Sequence, residues 1–299
     1  MTAASIAFLG IGLMGAPMSL RVLRAGFAVH AWNRSPAKAE ALRAFGAQPH
    51  ASLAEAVGSA GVVISMLESG DVVGDVIDAA MASLAPGTLW IDMSSTQHGE
   101  ALAFHARLAA HGCRFIDAPV SGGVAGAEAG TLAIMAGGTI ADFQQAEALL
   151  SAMGRPQLVG PAGSGQVAKL CNQLIVGGTL TIVAEALLLA QAAGADPGAV
   201  RAALRGGFAE SKILEMHGQR MLDRNFVPGG QVKSQLKDLR NVLVAAADAG
   251  MVLPVTALVT DTFASIAAEY PRADHAAALL ALEKRNPGQR LGAGPDQLP

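Results

Sequence analysis

Residues 163–194 read GSGQVAKLCNQLIVGGTLTIVAEALLLAQAAG, and this stretch decides how the chain is organised. It contains no proline and few charges, so it predicts one helix of roughly 30 residues, about 45 Å long at 1.5 Å per residue. Lys169, Asn172 and Gln173 lie three and four residues apart near its beginning, so they share one face of that helix. The remainder is apolar on nearly all sides, as in a buried helix. We therefore expect a helix that joins two domains and carries a polar cluster at its beginning.

A membrane-spanning helix is the alternative for residues 174–193, which are about long enough to cross a bilayer. However, Glu185, Gln191, two threonines and a Gly-Gly pair lie within this range. Neither basic clusters nor aromatic belts flank it. The sequence therefore favours a buried helix between domains or subunits, and we expect no membrane association.

The composition indicates a globular protein with two domains. The chain has 299 residues, of which 52% are hydrophobic and 15% charged, which is ample for two cores. Its net charge of −3 gives no electrostatic indication of nucleic-acid binding, so we expect no nucleic-acid partner. Cys113 and Cys171 are too few and too far apart for a disulfide framework or a zinc site, and no metal is expected. The N-terminus lacks the basic segment of a signal peptide, which predicts a cytoplasmic location.

The first predicted strand, residues 5–10, runs into the motif GIGLMG, made of Gly10, Ile11, Gly12, Leu13, Met14 and Gly15. A helical pattern and a second strand at 27–32 follow it. In such a β-turn-α-β unit the three glycines allow a tight turn, a close approach of the backbone to a pyrophosphate, and close packing of helix on strand. The motif alone is weak in a glycine-rich chain. Its position between a strand and a helix predicts a dinucleotide site at residues 10–15.

The residues after the second strand bear on the choice of cofactor. Folds that select NAD usually carry Asp or Glu there, to hold the ribose 2′-hydroxyl, whereas this chain has Asn33 and Arg34. A guanidinium binds oxyanions bidentately, and Ser35 and Lys38 add a hydroxyl and a second positive charge for a 2′-phosphate. An ordinary helix cap at Ser35 beside a solvated arginine is the alternative. We predict NADP as the preferred cofactor, with NAD possible.

The pattern along the chain predicts a Rossmann-type doubly wound sheet domain followed by an all-α domain built on the long interdomain helix. Further strands are predicted at 61–67, 88–93, 113–118 and 131–137, and helical patterns include 71–84 and 141–152. After residue 194 the patterns are helical only, near 197–205, 211–222, 233–249, 255–269 and 276–284. The predicted domains are 1–162, the joining helix 163–194, the all-α domain 195–290 and a Gly- and Pro-rich disordered tail over 291–299.

Three further residues lie where strands of the predicted sheet end. Met66 and Leu67 end one strand, and Thr96 comes just after another. Ligands of open parallel sheets bind at the carboxyl ends of the strands, so we expect these residues to contact the cofactor. A plain helix cap is the alternative for the Ser-Ser-Thr cluster at 94–96.

Four motifs occur in the order found in the β-hydroxyacid dehydrogenase family, which the chain resembles over nearly its whole length. They are GIGLMGAPM at 10–18, DAPVSGGVAGAEAGTLAIMAGG at 117–138, GSGQVAKLCNQ at 163–173 and LKDL at 236–239. The segments RGGFAES at 205–211 and MLDRNFVPG at 221–229, with the Asn172-Gln173 pair, look most like the tartronate semialdehyde reductase branch. Relatives of the 3-hydroxyisobutyrate dehydrogenase branch usually have Asn-Asn at the position of that pair.

The resemblance implies an NAD(P)H-dependent oxidoreductase that interconverts a small semialdehyde acid and its hydroxy acid by hydride transfer, with Lys169 as general acid and base. Its other implied site residues bind a small-molecule carboxylate substrate: Ser121, Gly122, Gly123, Asn172, Gln173 and Lys237. Lys237 matches the lysine of the family's KDL motif, near the nicotinamide, so it is also an implied cofactor contact, as is Thr96. Hydride delivery builds negative charge on oxygen, which is why a positioned proton donor is needed.

The substrate and the assembly stay open at this point. A 3-hydroxyisobutyrate dehydrogenase and a glyoxylate or succinic semialdehyde reductase are alternatives within the family. Imine reductases share the architecture but commonly carry Asp or Tyr at the position of Lys169, and a non-catalytic dinucleotide-binding module would be expected to lose this lysine. The apolar helix suggests buried area beyond one chain, so we expect a homodimer or homotetramer.

Overall fold

A computed structural model describes residues 5–299. The chain separates into two compact units, one ending at Lys169 and one beginning at Leu170. The sequence pattern had placed this division after residue 162. The division falls inside one helix, α8 (Ser164–Ala192), whose periodicity is unbroken across Lys169 and Leu170. A boundary within a continuous helix leaves no break in the sequence pattern, and this explains the difference.

The first unit is built around one nine-stranded sheet. Its strands are β1 (Ser5–Leu9), β2 (Ala28–Trp32), β3 (Gln48–Pro49), β4 (Val62–Ser65), β5 (Leu89–Asp92), β6 (Arg114–Asp117), β7 (Val120–Ser121), β8 (Leu132–Gly137) and β9 (Gly154–Gly160). Their order is β3-β2-β1-β4-β5-β6-β8-β7, and β9 pairs with β8. The strands β1 to β6 are all parallel, whereas β8 runs antiparallel to β6 and β7. The strand order reverses between β1 and β4, which is where such sheets bind their ligands.

Helices cover both faces of this sheet. They are α1 (Gly15–Arg24), α2 (Pro36–Glu40), α3 (Leu53–Gly58), α4 (Gly70–Ala80), α5 (His98–Ala110), α6 (Gly123–Ala129) and α7 (Ile140–Ser151). On β1, Ile6 and Phe8 belong to one core cluster, while Ala7 and Leu9 belong to another. Because both faces of the central strands are buried, these strands are continuous apolar runs rather than alternating ones. The predicted doubly wound fold is confirmed.

Several elements of the first unit were not expected from the sequence, among them helix α5. Three are strands at or near a sheet edge: β3, β7 and β9. The longest, β9, contains Arg155, Pro156 and Gln157. Within residues 5–299 it pairs with β8 alone, so its polar residues face solvent and its proline needs no ladder partner. Another is helix α6, which begins directly after Gly122 in a stretch whose glycines indicated a turn.

The second unit is helical, and its helices agree with the predicted ranges to within a few residues. After α8 come α9 (Pro197–Leu204), α10 (Lys212–Leu222), α11 (Val232–Asp248), α12 (Pro254–Ala267) and α13 (Ala278–Arg285). One of the two glycines in the middle of α8 has a packing role. A Cβ on Gly177 would lie 2.8 Å from Gln235 Nε2 and 3.2 Å from a methyl of Leu239, so the glycine lets α11 approach α8 closely. A Cβ on Gly178 would meet nothing.

The tail over 291–299, which the sequence analysis expected to be disordered, contacts the helical unit. Leu291 is fully buried, and Gln297 pairs with the backbone of Arg224 and Phe226. The buried Arg224 guanidinium forms ion pairs with Glu283 and Asp296 and donates to Leu291 O at 2.8 Å. The Gly and Pro content of the tail indicated disorder, but a buried guanidinium requires acceptors, and this segment supplies two of them.

Helix α8 is long and apolar enough to cross a membrane by length and composition alone. In its most apolar window of 18 residues, 44% of the residues are buried within the structure. Buried core helices of proteins without any membrane contact can be equally long and apolar.

Candidate active site

The glycine motif lies at the carboxyl end of β1, where the strand order reverses. Gly10 has φ +98°, and a Cβ there would collide with Met66 O and lie 2.8 Å from a Leu67 methyl. A Cβ on Gly15 would collide with the carbonyl oxygen of Gly10. A Cβ on Gly12, in contrast, would meet nothing within 4 Å. Packing therefore demands glycine at two of the three positions, and the third borders open space, which fits a pyrophosphate approaching the backbone.

The remaining residues of this loop differ in exposure. Ile11 is buried, Met14 is partly buried, and the Leu13 side chain is 83% exposed. The backbone N–H of Ile11 donates to Asn33 Oδ1 at 2.9 Å, and Asn33 Nδ2 donates to Ser35 O at 3.1 Å. Asn33 thus ties the end of β2 to the glycine loop, a structural task that the sequence interpretation had not assigned to it.

Arg34, Ser35 and Lys38 lie just beyond β2 and are exposed. Ser35 occupies the N-cap position of α2, with Pro36 next, but its side chain makes no capping hydrogen bond. Among residues 5–299, neither Arg34 nor Lys38 has an ion pair, whereas the neighbouring Arg43 is paired with Glu40. Two positive charges near the end of β2 are therefore available to an anion. The alternative role of Ser35, as a side-chain cap of α2, is not supported, because the capping hydrogen bond is not formed.

Met66, Leu67 and Thr96 are brought to the same sheet edge. The N–H of Met66 donates to Leu9 O at 2.9 Å, next to the glycine loop. The N–H of Leu67 donates to the Ser94 hydroxyl at 2.9 Å. Thr96 is buried, and its Oγ1 has no hydrogen-bond partner within the part of the chain that the structure describes. A buried hydroxyl without a partner is uncommon, and it fits a group that completes its hydrogen bonds with a bound ligand.

A buried polar network that the sequence reading had not singled out lies beneath this edge. Asp92 Oδ1 accepts the hydroxyls of Ser65 at 2.8 Å and Ser94 at 2.7 Å. Trp90 Nε1 donates to the Ser65 hydroxyl at 2.9 Å. Burial raises the pKa of the Asp92 carboxyl to about 6, and the hydrogen bonds from Ser94 and Ser65 offset part of that rise. The network fixes Ser94, and through it the Leu67 turn.

A second buried carboxylate, Asp117 at the end of β6, holds the beginning of α8. Its Oδ1 accepts the N–H of Gly163 at 2.7 Å, and its Oδ2 accepts the N–H of Gln166 at 2.8 Å. The Gln166 side chain donates to Ser94 O at 2.8 Å and accepts the N–H of Thr96 at 3.1 Å. Burial raises the pKa of Asp117 to about 7 in spite of these backbone hydrogen bonds. The sequence signals for this residue were its position near the end of an apolar strand and at the start of the motif at 117–138, and neither indicated this role.

Lys169 is brought against the loop that follows β6. Its Nζ donates to Val120 O at 2.9 Å, and the side chain is partly buried. Ser121 is partly buried, and Gly122 and Gly123 are exposed with φ of +140° and +62°. A Cβ on Gly123 would meet nothing within 4 Å, so this glycine borders open space. The structure thus brings Lys169 to Val120, which directly precedes Ser121, Gly122 and Gly123 and lies 49 residues away in the chain.

Within the helical unit, the other expected site residues form one hydrogen-bonded chain. Asn172 Nδ2 donates to Gln173 Oε1 at 2.8 Å, and Gln173 Nε2 donates to Asp238 Oδ2 at 2.6 Å. Lys237 Nζ lies 3.4 Å from Asp238 Oδ1. Gln235 Nε2 donates to Gln173 O at 3.0 Å. Asp238 and Gln235 were missed from the sequence, although both lie in or beside the LKDL motif.

Comparison with known proteins assigns the family. Residues 5–184 match the family described as the NAD binding domain of 6-phosphogluconate dehydrogenase. Residues 163–282 match that described as NAD-binding of NADP-dependent 3-hydroxyisobutyrate dehydrogenase. The chain is 39% identical over 284 residues to the 2-hydroxy-3-oxopropionate reductase of Escherichia coli (strain K12), covering 93% of this chain and 97% of the relative.

Two mycobacterial comparisons agree with this assignment. The chain is 35% identical over 291 residues to a probable 3-hydroxyisobutyrate dehydrogenase of Mycobacterium tuberculosis (strain ATCC 25618 / H37Rv), covering 94% of this chain and 98% of the relative. The solved structure of the Mycobacterium tuberculosis 3-hydroxyisobutyrate dehydrogenase with L-serine has a TM-score of 0.88 at 33% identity, covering 94% of this chain and 99% of that one.

The two-unit fold, the glycine loop and these matches define a class of NAD(P)-dependent hydroxyacid dehydrogenases. The chain belongs to the β-hydroxyacid dehydrogenase family. The predictions of family, enzyme class and NAD(P) as cofactor are confirmed. The residues described above fit the cofactor, because Gly12 borders open space and Thr96 Oγ1 lacks a partner among the described residues.

Proposed function

We propose that this protein is an NADP(H)-dependent reductase of a short semialdehyde acid, with tartronate semialdehyde as substrate and glycerate as product, acting reversibly. The observation that carries the proposal is the position of Lys169, whose Nζ lies 2.9 Å from Val120 O, directly before the Ser121-Gly122-Gly123 loop. Tartronate semialdehyde is another name for 2-hydroxy-3-oxopropionate. The relative named 2-hydroxy-3-oxopropionate reductase, at 39% identity, therefore supports this substrate over the other semialdehyde acids.

In the proposed mechanism the Ser121 hydroxyl and the backbone N–H groups of Gly122 and Gly123 bind the substrate carboxylate. Open space beside Gly123 gives the anion access to the backbone. Bound NADPH supplies the hydride. Lys169 donates the proton to the carbonyl oxygen as negative charge develops there, and takes it back in the oxidative direction. Asp117, by holding the first turn of α8, keeps Lys169 at the loop.

We assign supporting roles to residues of the helical unit by resemblance to the family. Asn172 and Gln173 orient the substrate, and Lys237 adds positive charge near the nicotinamide. The contact of Gln173 with Asp238, at 2.6 Å, supports a fixed orientation for the glutamine amide. The Asp238 carboxylate also lies 3.4 Å from Lys237 Nζ, so one acidic residue positions both groups.

For the cofactor we propose that Arg34, Ser35 and Lys38 bind the 2′-phosphate of NADP. No ion pair involving Arg34 or Lys38 occurs within residues 5–299, so their charges are not neutralised by the protein. The residues 10–15, Met66, Leu67 and Thr96 contact the remainder of the dinucleotide, and Asn33 acts through the glycine loop that it fixes.

We further propose a homodimer or homotetramer in the cytoplasm. Ile175, Ile182 and Leu189 repeat every seven residues on α8 and are 61%, 61% and 69% exposed. Such a row of apolar side chains suits a second helix better than water. Glu185 is exposed on the same helix and disfavours lipid as the alternative.

The deciding experiment is a comparison of kcat/KM with NADPH and with NADH for four acids: tartronate semialdehyde, glyoxylate, succinic semialdehyde and methylmalonate semialdehyde. We expect the highest value for tartronate semialdehyde with NADPH. A higher value for methylmalonate semialdehyde would make the protein a 3-hydroxyisobutyrate dehydrogenase, which the relative at 35% identity favours. Turnover of a cyclic imine and of none of the four acids would indicate an imine reductase. NADPH binding without turnover of any of these compounds would indicate a non-catalytic module.

A further inference from the structure

Two histidines converge in the helical unit, and neither is among the site residues assigned above. His217 lies on α10, and His275 opens the 3-10 helix His275–Ala277. Their Nε2 atoms are 3.3 Å apart, and their rings stand nearly perpendicular with centroids 4.5 Å apart. Together with Asp274 they present ligand atoms that all lie within 4.8 Å of one another.

The Asp274 carboxylate orients the first histidine. It is fully buried and accepts the backbone N–H groups of Gly229 at 2.9 Å, Gly230 at 3.1 Å and Ala276 at 3.0 Å. Its Oδ1 lies 3.3 Å from His217 Nδ1. A carboxylate beside Nδ1 favours a proton there, which leaves the Nε2 lone pair directed towards His275.

The separation of the two Nε2 atoms suits a shared metal ion better than a direct hydrogen bond. Two imidazoles bound to one tetrahedral metal at about 2.0–2.1 Å have nitrogens roughly 3.3–3.4 Å apart. Nitrogen donors in proteins usually form hydrogen bonds of about 2.9–3.0 Å. The other histidine pair of this chain, His30 and His50, has its facing nitrogens 2.8 Å apart and fits a hydrogen bond. The His30–His50 distance therefore fits a hydrogen bond, whereas the longer His217–His275 distance fits two ligands of one metal ion.

We propose that His217 Nε2 and His275 Nε2 bind one transition-metal ion, with Asp274 as the outer carboxylate that fixes the His217 ring. In many metal sites a histidine binds the metal through one ring nitrogen and donates the N–H of the other to a carboxylate. His217 is 15% exposed and His275 is partly exposed, so an ion and its remaining water ligands can reach the site from solvent. A Cβ on Gly230 would lie 2.9 Å from His275 Cε1, so this glycine makes room for the ring.

The charges around the pair select the kind of metal. Arg220 Nε lies 3.4 Å from Asp274 Oδ1, so its positive charge offsets the carboxylate. The site therefore offers imidazole nitrogens with little net negative charge around them. Mg²⁺ and Ca²⁺ need charged oxygen ligands, whereas Zn²⁺, Ni²⁺ and Cu²⁺ bind imidazole strongly. We expect the ion to bridge α10 and the 3-10 helix and to stabilise the helical unit.

The test is a titration of the metal-free, tag-free, full-length protein with Zn²⁺ by calorimetry, beside thermal unfolding with and without the ion. We expect one equivalent to bind and to raise the Tm. His217→Gln and His275→Gln should each weaken binding about tenfold or more and remove the rise in Tm, because each loses a ligand. His111→Gln, an exposed histidine in the other unit, is the matched control and should behave as the wild type. Far-UV circular dichroism of each metal-free variant checks that it is folded.

Three results would overturn the proposal. One is the absence of a one-equivalent Zn²⁺ site in the wild type. Another is unchanged Zn²⁺ affinity in both folded variants. The third is loss of binding in His50→Gln with binding retained in His217→Gln, which would assign the ion to the other pair. Ca²⁺ in place of Zn²⁺ should leave the Tm unchanged, and an equal rise with Ca²⁺ would contradict the ligand chemistry.

Discussion

The carboxylate of Asp117 accepts the backbone N–H of Gln166 at 2.8 Å and so links the end of strand β6 to the first turn of helix α8. The same group accepts the N–H of Gly163 at 2.7 Å. Free N–H groups at a helix start are ordinarily capped by a residue just before the helix. Here the cap comes from a strand 49 residues away. Because Lys169 follows three residues after Gln166, this cap fixes the position of the backbone that carries Lys169, the proposed acid and base.

Ionisation of Asp117 should lower the stability of the protein as pH rises. The pKa of this carboxyl is raised by burial to about 7, while in the unfolded chain it is about 3.9. Between these values the folded state holds a proton that the unfolded state has released, so the stability from this group is lost as pH rises towards 7. From pH 5 to pH 8 the wild type should lose about 2–3 kcal/mol more than Asp117→Asn. Urea unfolding at both pH values measures this. The pKa of Asp92 is also raised, but Asp92 is present in both the wild type and Asp117→Asn. Equal pH dependence of stability in these two proteins would therefore refute the assignment of the effect to Asp117.

Removal of Lys169 should abolish proton donation while leaving the cofactor site intact. In Lys169→Ala we expect kcat to fall about 10²- to 10⁴-fold, the usual range for general acid catalysis. Lys169→Arg should recover little, because a guanidinium keeps its proton. NADPH affinity, measured by fluorescence titration, should stay within a few-fold of wild type, since the glycine loop is untouched. Single-turnover kinetics give the chemical step. A chemical rate above about a tenth of wild type would mean that the proton comes from another group, with Lys237 the first to test.

Cofactor choice should depend on Arg34. Arg34→Asp replaces a phosphate partner by a repelling charge and a ribose hydrogen-bond acceptor, so preference should reverse from NADPH to NADH. Loss of a charge-assisted contact of about 1.5–3 kcal/mol corresponds to roughly a ten- to hundredfold weaker NADPH affinity. Arg24→Asp, an equal charge change at an exposed position of α1, is the control and should leave the preference unchanged. Equal NADPH KM in Arg34→Asp and wild type would remove Arg34 from the cofactor site.

The Ser121-Gly122-Gly123 loop should determine that the substrate is an acid. Gly123→Ala places a methyl in the open space beside the backbone, so KM for semialdehyde acids should rise about tenfold or more, the equivalent of one charge-assisted hydrogen bond. Gly123 has φ +62°, so the variant also carries a backbone cost of about 1–2 kcal/mol. Gly26→Ala has the same kind of cost at φ +90° in open space and is the matched control. An equal loss of activity on a neutral aldehyde in Gly123→Ala would show damage to the fold rather than to carboxylate binding.

The sequence by itself determined the features that depend on neighbouring residues. The spacing of Gly10, Gly12 and Gly15 between a strand and a helix predicted a dinucleotide loop, and the structure shows the packing reason at Gly10 and Gly15. The period of α8 predicted one long helix. The four ordered motifs predicted the family, which the relatives confirm. Each of these signals is read from residues that are neighbours in the chain, motif by motif, because backbone geometry and helix periodicity are set locally.

Only the tertiary structure decided which distant groups meet. No local pattern joins Lys169 to Val120, Asp117 to Gln166, or His217 to His275, because each pair depends on strand order and on helix packing. The edge strand β9 also depends on the tertiary structure, because it forms by pairing with β8. The composition of the tail indicated disorder, whereas in the folded chain Asp296 of the tail pairs with the buried Arg224. A buried charge or N–H needs a partner wherever the fold can supply one. That demand is met by residues far apart in the sequence, so it becomes visible only once the chain is folded.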